Sequence, residues 1–262
     1  MKNLKQFAFS ILTIVFFTAC SSDDDTVIIV EDVTGNAKIT FDAKVGSTDF
    51  ALDTPFSIDG NSYQFDHLRY WVSNISLVNS DNETHSIQDS YFLLEETKAI
   101  SVQDGAYTYP AKKRETIDLV ALPSGSYTKI RFSVGVDETF NNNLSLQAGE
   151  LSQLNGMTNI SWMWHTSYIF SSLKGKNVAT NGNILVETGL NTNYRTVEIT
   201  LPTALVVSSS TTGTLNINVD VAKILQNIDL AATPTVSAST PAAMTTVANN
   251  FKDNVFTVIS VQ

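Results

Sequence analysis

Apolar and polar residues alternate with a period of two along much of this chain, and that pattern limits what it can fold into. Ile130, Phe132, Val134 and Val136 alternate with Lys129, Arg131, Ser133 and Gly135. Glu198 and Thr200 separate Val197, Ile199 and Leu201, and Leu215, Ile217, Val219 and Val221 are spaced by Asn216, Asn218 and Asp220. An earlier, shorter run is Lys38-Ile39-Thr40-Phe41. Successive side chains of a strand point to opposite faces, so each run describes a strand with one buried face. Turn signals stand between them at Asp59-Gly60-Asn61, Pro123-Ser124-Gly125 and Thr212-Gly213. Helical spacing is confined to two short stretches near the C-terminus, Val221 to Leu230 and Ala242 to Phe251, around a loop from Ala231 to Pro241. The expected class is all-β, an antiparallel β-sandwich with one or two short helices near the C-terminus. No linker interrupts the stretch from 36 to 262, which reads as one domain.

The N-terminus reads as an address. Lys2 and Lys5 precede an almost wholly apolar run from Phe7 to Ala19. That is the length of a signal-peptide core and too short to cross a bilayer as a helix. The run closes on Phe17-Thr18-Ala19-Cys20, which resembles a bacterial lipobox with Phe17 at the usual aliphatic position. The expectation is a lipoprotein signal peptide over 1–19, lipidation at Cys20 and an acidic tether over 20–35. Acyl chains on one cysteine supply membrane affinity without a spanning helix. Ser21-Ser22-Asp23-Asp24-Asp25 follows at once and resembles the surface-export signal of Bacteroidota lipoproteins. An outer-membrane lipoprotein exposed at the cell surface is therefore expected.

Composition removes several function classes. A formal net charge of −10 gives no basic face to displace counterions from phosphates, so no nucleic-acid partner is expected. One cysteine allows neither an intramolecular disulfide nor a multi-thiolate metal site. No Gly-x-Ser-x-Gly elbow and no phosphate-cradling glycine loop is present, and no enzyme is expected. Asp137, Glu138 and Asp220 are carboxylates at strand ends, but no loop has the regular acidic spacing of a calcium site.

Three segments carry a family resemblance. Phe65-Asp66-His67-Leu68-Arg69-Tyr70-Trp71-Val72-Ser73-Asn74-Ile75-Ser76-Leu77 is the first, and Gly135-Val136-Asp137 is the second. The third is Gly156-Met157 followed by Trp162-Met163-Trp164-His165-Thr166-Ser167-Tyr168-Ile169-Phe170. In this order and spacing they resemble the MbnP-like family of envelope proteins, with weaker echoes at Tyr194-Arg195-Thr196-Val197 and Asn218-Val219-Asp220-Val221. Some members carry histidines at two further positions, which here are the Phe140-Asn141-Asn142-Asn143 stretch and Glu187, two residues before Gly189.

The resemblance implies a non-catalytic copper-binding protein. It also implies a di-haem peroxidase of the MauG type as partner, which in some relatives oxidises a tryptophan to kynurenine and exposes an aryl amine able to ligate Cu(I). The residues it points to are Trp162 or Trp164 together with His67 from a neighbouring strand, and His165 as the fallback. Adjacent residues on one strand face opposite ways, so Trp164 and His165 reach one metal only across a bulge. Tryptophans on strands also serve as packing, and His85, in Asp81-Asn82-Glu83-Thr84-His85, reads as a solvated turn residue. The alternative is a surface interaction module that binds glycan or protein without metal, with exposed aromatics such as Tyr107 and Tyr109 at loop tips.

Overall fold

The computed structural model describes residues 33–159 and 167–262. Its principal strands are β1 (Thr34–Val45), β2 (Asn61–Asn79), β3 (Tyr91–Thr97), β4 (Thr116–Pro123), β5 (Gly125–Val134), β6 (Ser167–Asn177), β7 (Asn183–Gly189), β8 (Arg195–Val207), β9 (Gly213–Asp220) and β10 (Phe256–Val261). One helix of several turns, α1 (Pro241–Asp253), stands before the last strand. The all-β expectation holds, and the strands form two main sheets. The first strand begins at Thr34, two residues ahead of the boundary expected from the sequence.

The smaller sheet runs β4-β1-β9-β10. Its alternation is visible in β1, where Ala37, Ile39, Phe41 and Ala43 are buried between exposed or half-buried neighbours. The pairing of β1 with β9 is parallel, from Ala37 opposite Gly213 to Lys44 opposite Asp220. The sheet is therefore mixed where antiparallel pairing throughout was expected. Parallel neighbours need a long crossover, and here most of the domain lies between the two strands.

The larger sheet runs β8-β5-β2-β6-β7 and is organised by β2. Along one edge β2 pairs first with β6, from Tyr63 to Tyr70, and then with β5, from Val72 to Asn79. Its opposite edge takes β3, from His67 to Ser73. Asn74, at φ +50, is the extra residue of a bulge that shifts the register against β5 between Arg131 and Ser133. The run Leu68 to Ser73 is buried without alternation, because both faces of β2 are covered. One face meets the smaller sheet, where Phe41 and Phe132 pack edge to face at 5.3 Å and Phe132 and Phe256 at 5.0 Å. Over the other lie the loop leading from β5 to Met157 and the hairpin of Ile100–Val102 with Tyr107–Tyr109.

Helix α1 closes the inter-sheet core. Met244, Val247, Ala248 and Phe251 recur at helical spacing and are buried. Phe251 lies 5.8 Å from Tyr70 and 6.1 Å from Phe256. Pro241 sits in the first turn, where its missing N–H costs nothing. The other expected helix is cut to one turn, Val221–Ile224, with Asp220 capping Ala222 N at 3.1 Å. Asn227, at φ +63, turns the chain away, and Asn250 donates to the freed carbonyls of Ile224 and Gln226. No helix among the described residues is long and apolar enough to cross a membrane.

Candidate functional site

Strand register assembles a polar site on the outer face of the larger sheet. On β2, His67 stands opposite Lys174 of β6, and Arg69 opposite Ser172. Ser172 in turn stands opposite Glu187 of β7. The imidazole reaches diagonally across the β2–β6 ladder, putting His67 Nε2 2.8 Å from Ser172 Oγ. Ser172 Oγ donates to Glu187 Oε1 at 3.2 Å. A hydroxyl has one proton to give, so Ser172 accepts from Nε2–H and the proton of His67 sits on Nε2. Burial, with help from Arg69 and Lys174, holds the imidazole pKa down to about 3. His67 is thus neutral at physiological pH, the form that ligates metals. Burial pushes the Glu187 carboxyl up, against the opposing pull of Ser172 and Lys174.

One nitrogen and two oxygen donors therefore sit on three adjacent strands held by ladder hydrogen bonds. Ser172 is 3% exposed and its proton points at a carboxylate, not at the imidazole. That arrangement is the reverse of a nucleophile primed by a base.

Of the residues singled out from the sequence, His67 is the one the structure describes in such a site. Trp162, Trp164 and His165 lie outside the described residues, as does Cys20 with the whole 1–32 segment. The flanks of the tryptophan segment are described: Thr158 and Asn159 pair with Tyr168 and Ser167. Ser167 is seven positions along β6 from Lys174, the residue opposite His67. At about 3.3 Å per strand residue that is roughly 23 Å. Glu187, which His67 reaches only through Ser172, was legible beforehand only as a position where some relatives carry histidine; Ser172 gave no signal. His85 belongs to a short strand, Thr84–Ser86, opposite Leu77. Among the described residues no three His, Cys, Asp or Glu side chains gather as a metal group.

The other motif residues converge elsewhere, at the far end of β2. Ser73 donates to the Gly135 carbonyl at 2.7 Å. Asn74 Nδ2 donates to Asp137 Oδ2 at 3.1 Å and to the Tyr194 hydroxyl at 2.6 Å, and Tyr91 donates its hydroxyl to Asp137. Gly135 has φ +117, and a Cβ there would stand 2.6 Å from the Phe170 ring. These contacts tie β2, β3, β5 and β8 together. Trp71 is fully buried edge-on to Tyr168 at 5.9 Å, and its indole N–H has no partner among the described residues. Between this knot and His67 lies a buried ion pair. Arg69 donates to Glu95 from Nε at 2.8 Å and from Nη2 at 2.7 Å, and Nη2 also reaches the Asn155 carbonyl at 2.7 Å. Tyr109 is not an exposed loop tip. Its ring lies under the Arg69 guanidinium and its hydroxyl donates to Glu95. Tyr107 is exposed.

The MbnP family model matches residues 34–241. The chain belongs to the MbnP family. No curated protein matches it. The solved structure of MbnP from Methylosinus trichosporium resembles this member of the family with a TM-score of 0.50 at 17% identity, over 75% of this chain and 79% of that one. At that identity the likeness is one of fold.

Proposed function

We propose that this MbnP-family protein is a non-catalytic binding lipoprotein of the cell envelope, anchored through Cys20 at the outer membrane and displayed on the cell surface, and that copper is its ligand. The observation that carries this reading is the neutral His67 imidazole, linked through Ser172 to Glu187 on rigid neighbouring strands. The donor chemistry fits copper, for which imidazole is a good ligand. His67, Glu187 and Ser172 would hold the ion once the imidazole proton moves from Nε2 to Nδ1, and the ion is cargo here and not a reagent. Trp162, Trp164 and His165 remain the residues the resemblance points to, and a MauG-type di-haem enzyme is the partner proposed to oxidise one of the two tryptophans. The Ser172 hydroxyl, buried and donating to Glu187, is not set up as a nucleophile at this site.

The test is an equilibrium copper titration of the mature chain beside His67→Ala, with peptide mapping across Asn159 to Leu173. Stoichiometric copper lost in His67→Ala is the expected result. No copper site tighter than micromolar in the parent protein, with both tryptophans unmodified, would overturn the reading. The reading as a metal-free interaction module draws on one observation: exposed Tyr107 and Leu154 flank a cleft of about 280 Å³ that also holds Lys112 and Glu150.

A further inference from the structure

We infer that the cleft beside the hairpin strand Tyr107–Tyr109 binds one neutral pyranose ring of a glycan, with a C–H face of the sugar on Tyr107 and its hydroxyls on the polar rim. The inference goes beyond the proposed copper site, with which it shares no residue, and gives the metal-free reading a ligand class. The cleft holds about 280 Å³, which is small for a ligand site and suits a single ring. Its apolar wall is built on the hairpin. Tyr107 and Tyr109 stand two apart on one strand and so share a face. Tyr109 is fixed, with its ring centre 4.8 Å from the Arg69 guanidinium carbon and its hydroxyl on Glu95. Tyr107 is 39% exposed and Leu154 46%, so both offer apolar surface to a ligand. The face of an aromatic ring is negative, and the polarised C–H groups of a pyranose lie well against it.

The polar rim has hydrogen bonds left to make. Asn155 lines the cleft and is only 6% exposed. Its Oδ1 accepts from Met157 N at 2.9 Å, while its Nδ2 donates to no described residue. Ser152 Oγ accepts from Leu154 N at 3.1 Å and keeps its own proton to give. Lys112 spends one of its three donors on Glu95 Oε1, at 3.2 Å. Glu150 supplies an acceptor and is held by Arg114 and by Leu93 N at 3.0 Å. A sugar hydroxyl both gives and accepts, so a rim of donors with an acceptor matches it. The charges at the rim are already paired, Lys112 with Glu95 and Glu150 with Arg114. An ionic ligand would have to compete with those pairs, and a neutral polyol does not. An apolar side chain of a protein partner would cover the wall but cut off the Asn155 amide from water without replacing it, which disfavours that occupant. The frame is preformed: Lys112–Arg114 is paired to β3, and Ser152 caps the turn Gln153–Asn155.

The experiment is saturation-transfer NMR with calorimetry on the metal-free mature chain. The probes are methyl glycosides of neutral hexopyranoses and their disaccharides, beside the matching uronates. The expected result is a neutral pyranoside bound through its ring C–H protons and preferred to its uronate. Tyr107→Ala, at an exposed position, should weaken it by at least about tenfold, and Tyr107→Phe, which keeps the ring, should retain most of the affinity. Lys112→Met should also weaken it, while His67→Ala should leave it unchanged. No neutral pyranoside bound at up to about 10 mM overturns the inference. So does a preference for the uronates, or an affinity indifferent to both Tyr107→Ala and Lys112→Met. Each of these results leaves the copper titration as it was, and a parent protein that binds sugar but no copper removes the proposed copper ligand while this inference stands.

Discussion

The buried pair of Arg69 and Glu95 makes an asymmetric prediction. The two side chains are 1% and 0% exposed, so removing one charge strands the other in a poorly solvated interior. The partners differ in what remains to them. Glu95 Oε1 keeps Lys112 Nζ at 3.2 Å and the Tyr109 hydroxyl after Arg69→Met. Arg69 keeps the Asn155 carbonyl and the Tyr109 ring after Glu95→Gln, and neither is an anion. Breaking a buried pair costs about 3–5 kcal/mol. Arg69→Met should fall at the lower end and Glu95→Gln at the upper. For a domain of this size about 4 kcal/mol lowers Tm by roughly 8–16 °C. The double variant Arg69→Met/Glu95→Leu should recover most of the loss, coming within about 1–2 kcal/mol of the parent, since paired charges in an interior are nearly neutral against apolar replacements. Urea unfolding of the four proteins closes the cycle and yields the coupling energy directly. A double variant as unstable as the two singles added together would show that the charges do not interact. A Glu95→Gln loss below about 1 kcal/mol would show that Arg69 finds solvent in the native state. Either result refutes the argument.

The motif knot and the titration of His67 give two further expectations. Asp137→Ala removes the acceptor of both Tyr91 and Asn74 and should cost about 2–3 kcal/mol, as hydrogen bonds to charged groups do, with copper affinity unchanged; loss of copper without loss of stability would place Asp137 at the metal site instead. In metal-free protein, the depressed His67 pKa, from 6.5 to about 3, favours the folded state fully above the unfolded value and less as pH falls toward the folded one. Between pH 7 and 5 this amounts to about 2 kcal/mol. Glu187 acts in the opposite sense, since its raised pKa makes its protonated form the favoured one in the folded state. The difference between parent and His67→Gln isolates the histidine, and parallel stability curves for the two proteins from pH 7 to 5 would contradict the burial-driven shift.

How much of this was legible beforehand depends on how many strands a feature involves. Strands with one covered face announced themselves: β9 alternates as written, and β1 follows the pattern that Lys38 to Phe41 begins. The spine β2 could not, because hairpin and loop cover its outer face and Arg69 and Trp71 are buried as deeply as Leu68 and Tyr70. Its character came through only as a family-like segment. The parallel pairing of β1 with β9 joins residues 176 positions apart, Ala37 with Gly213 through Lys44 with Asp220, and alternation is blind to partner and direction alike. The same holds for the site. His67 stood out as one of three histidines, but the residues that give it chemistry lie on β6 and β7 and reach it only through two ladder registers. A one-residue slip in either would turn Ser172 or Glu187 to the opposite face and leave the imidazole without them. The knot at Asp137 and the bulge at Asn74 hold β2, β3, β5 and β8 at the other end of the spine. The motif residues that identify the family therefore fix where β2 lies, and His67 inherits its neighbours from that placement.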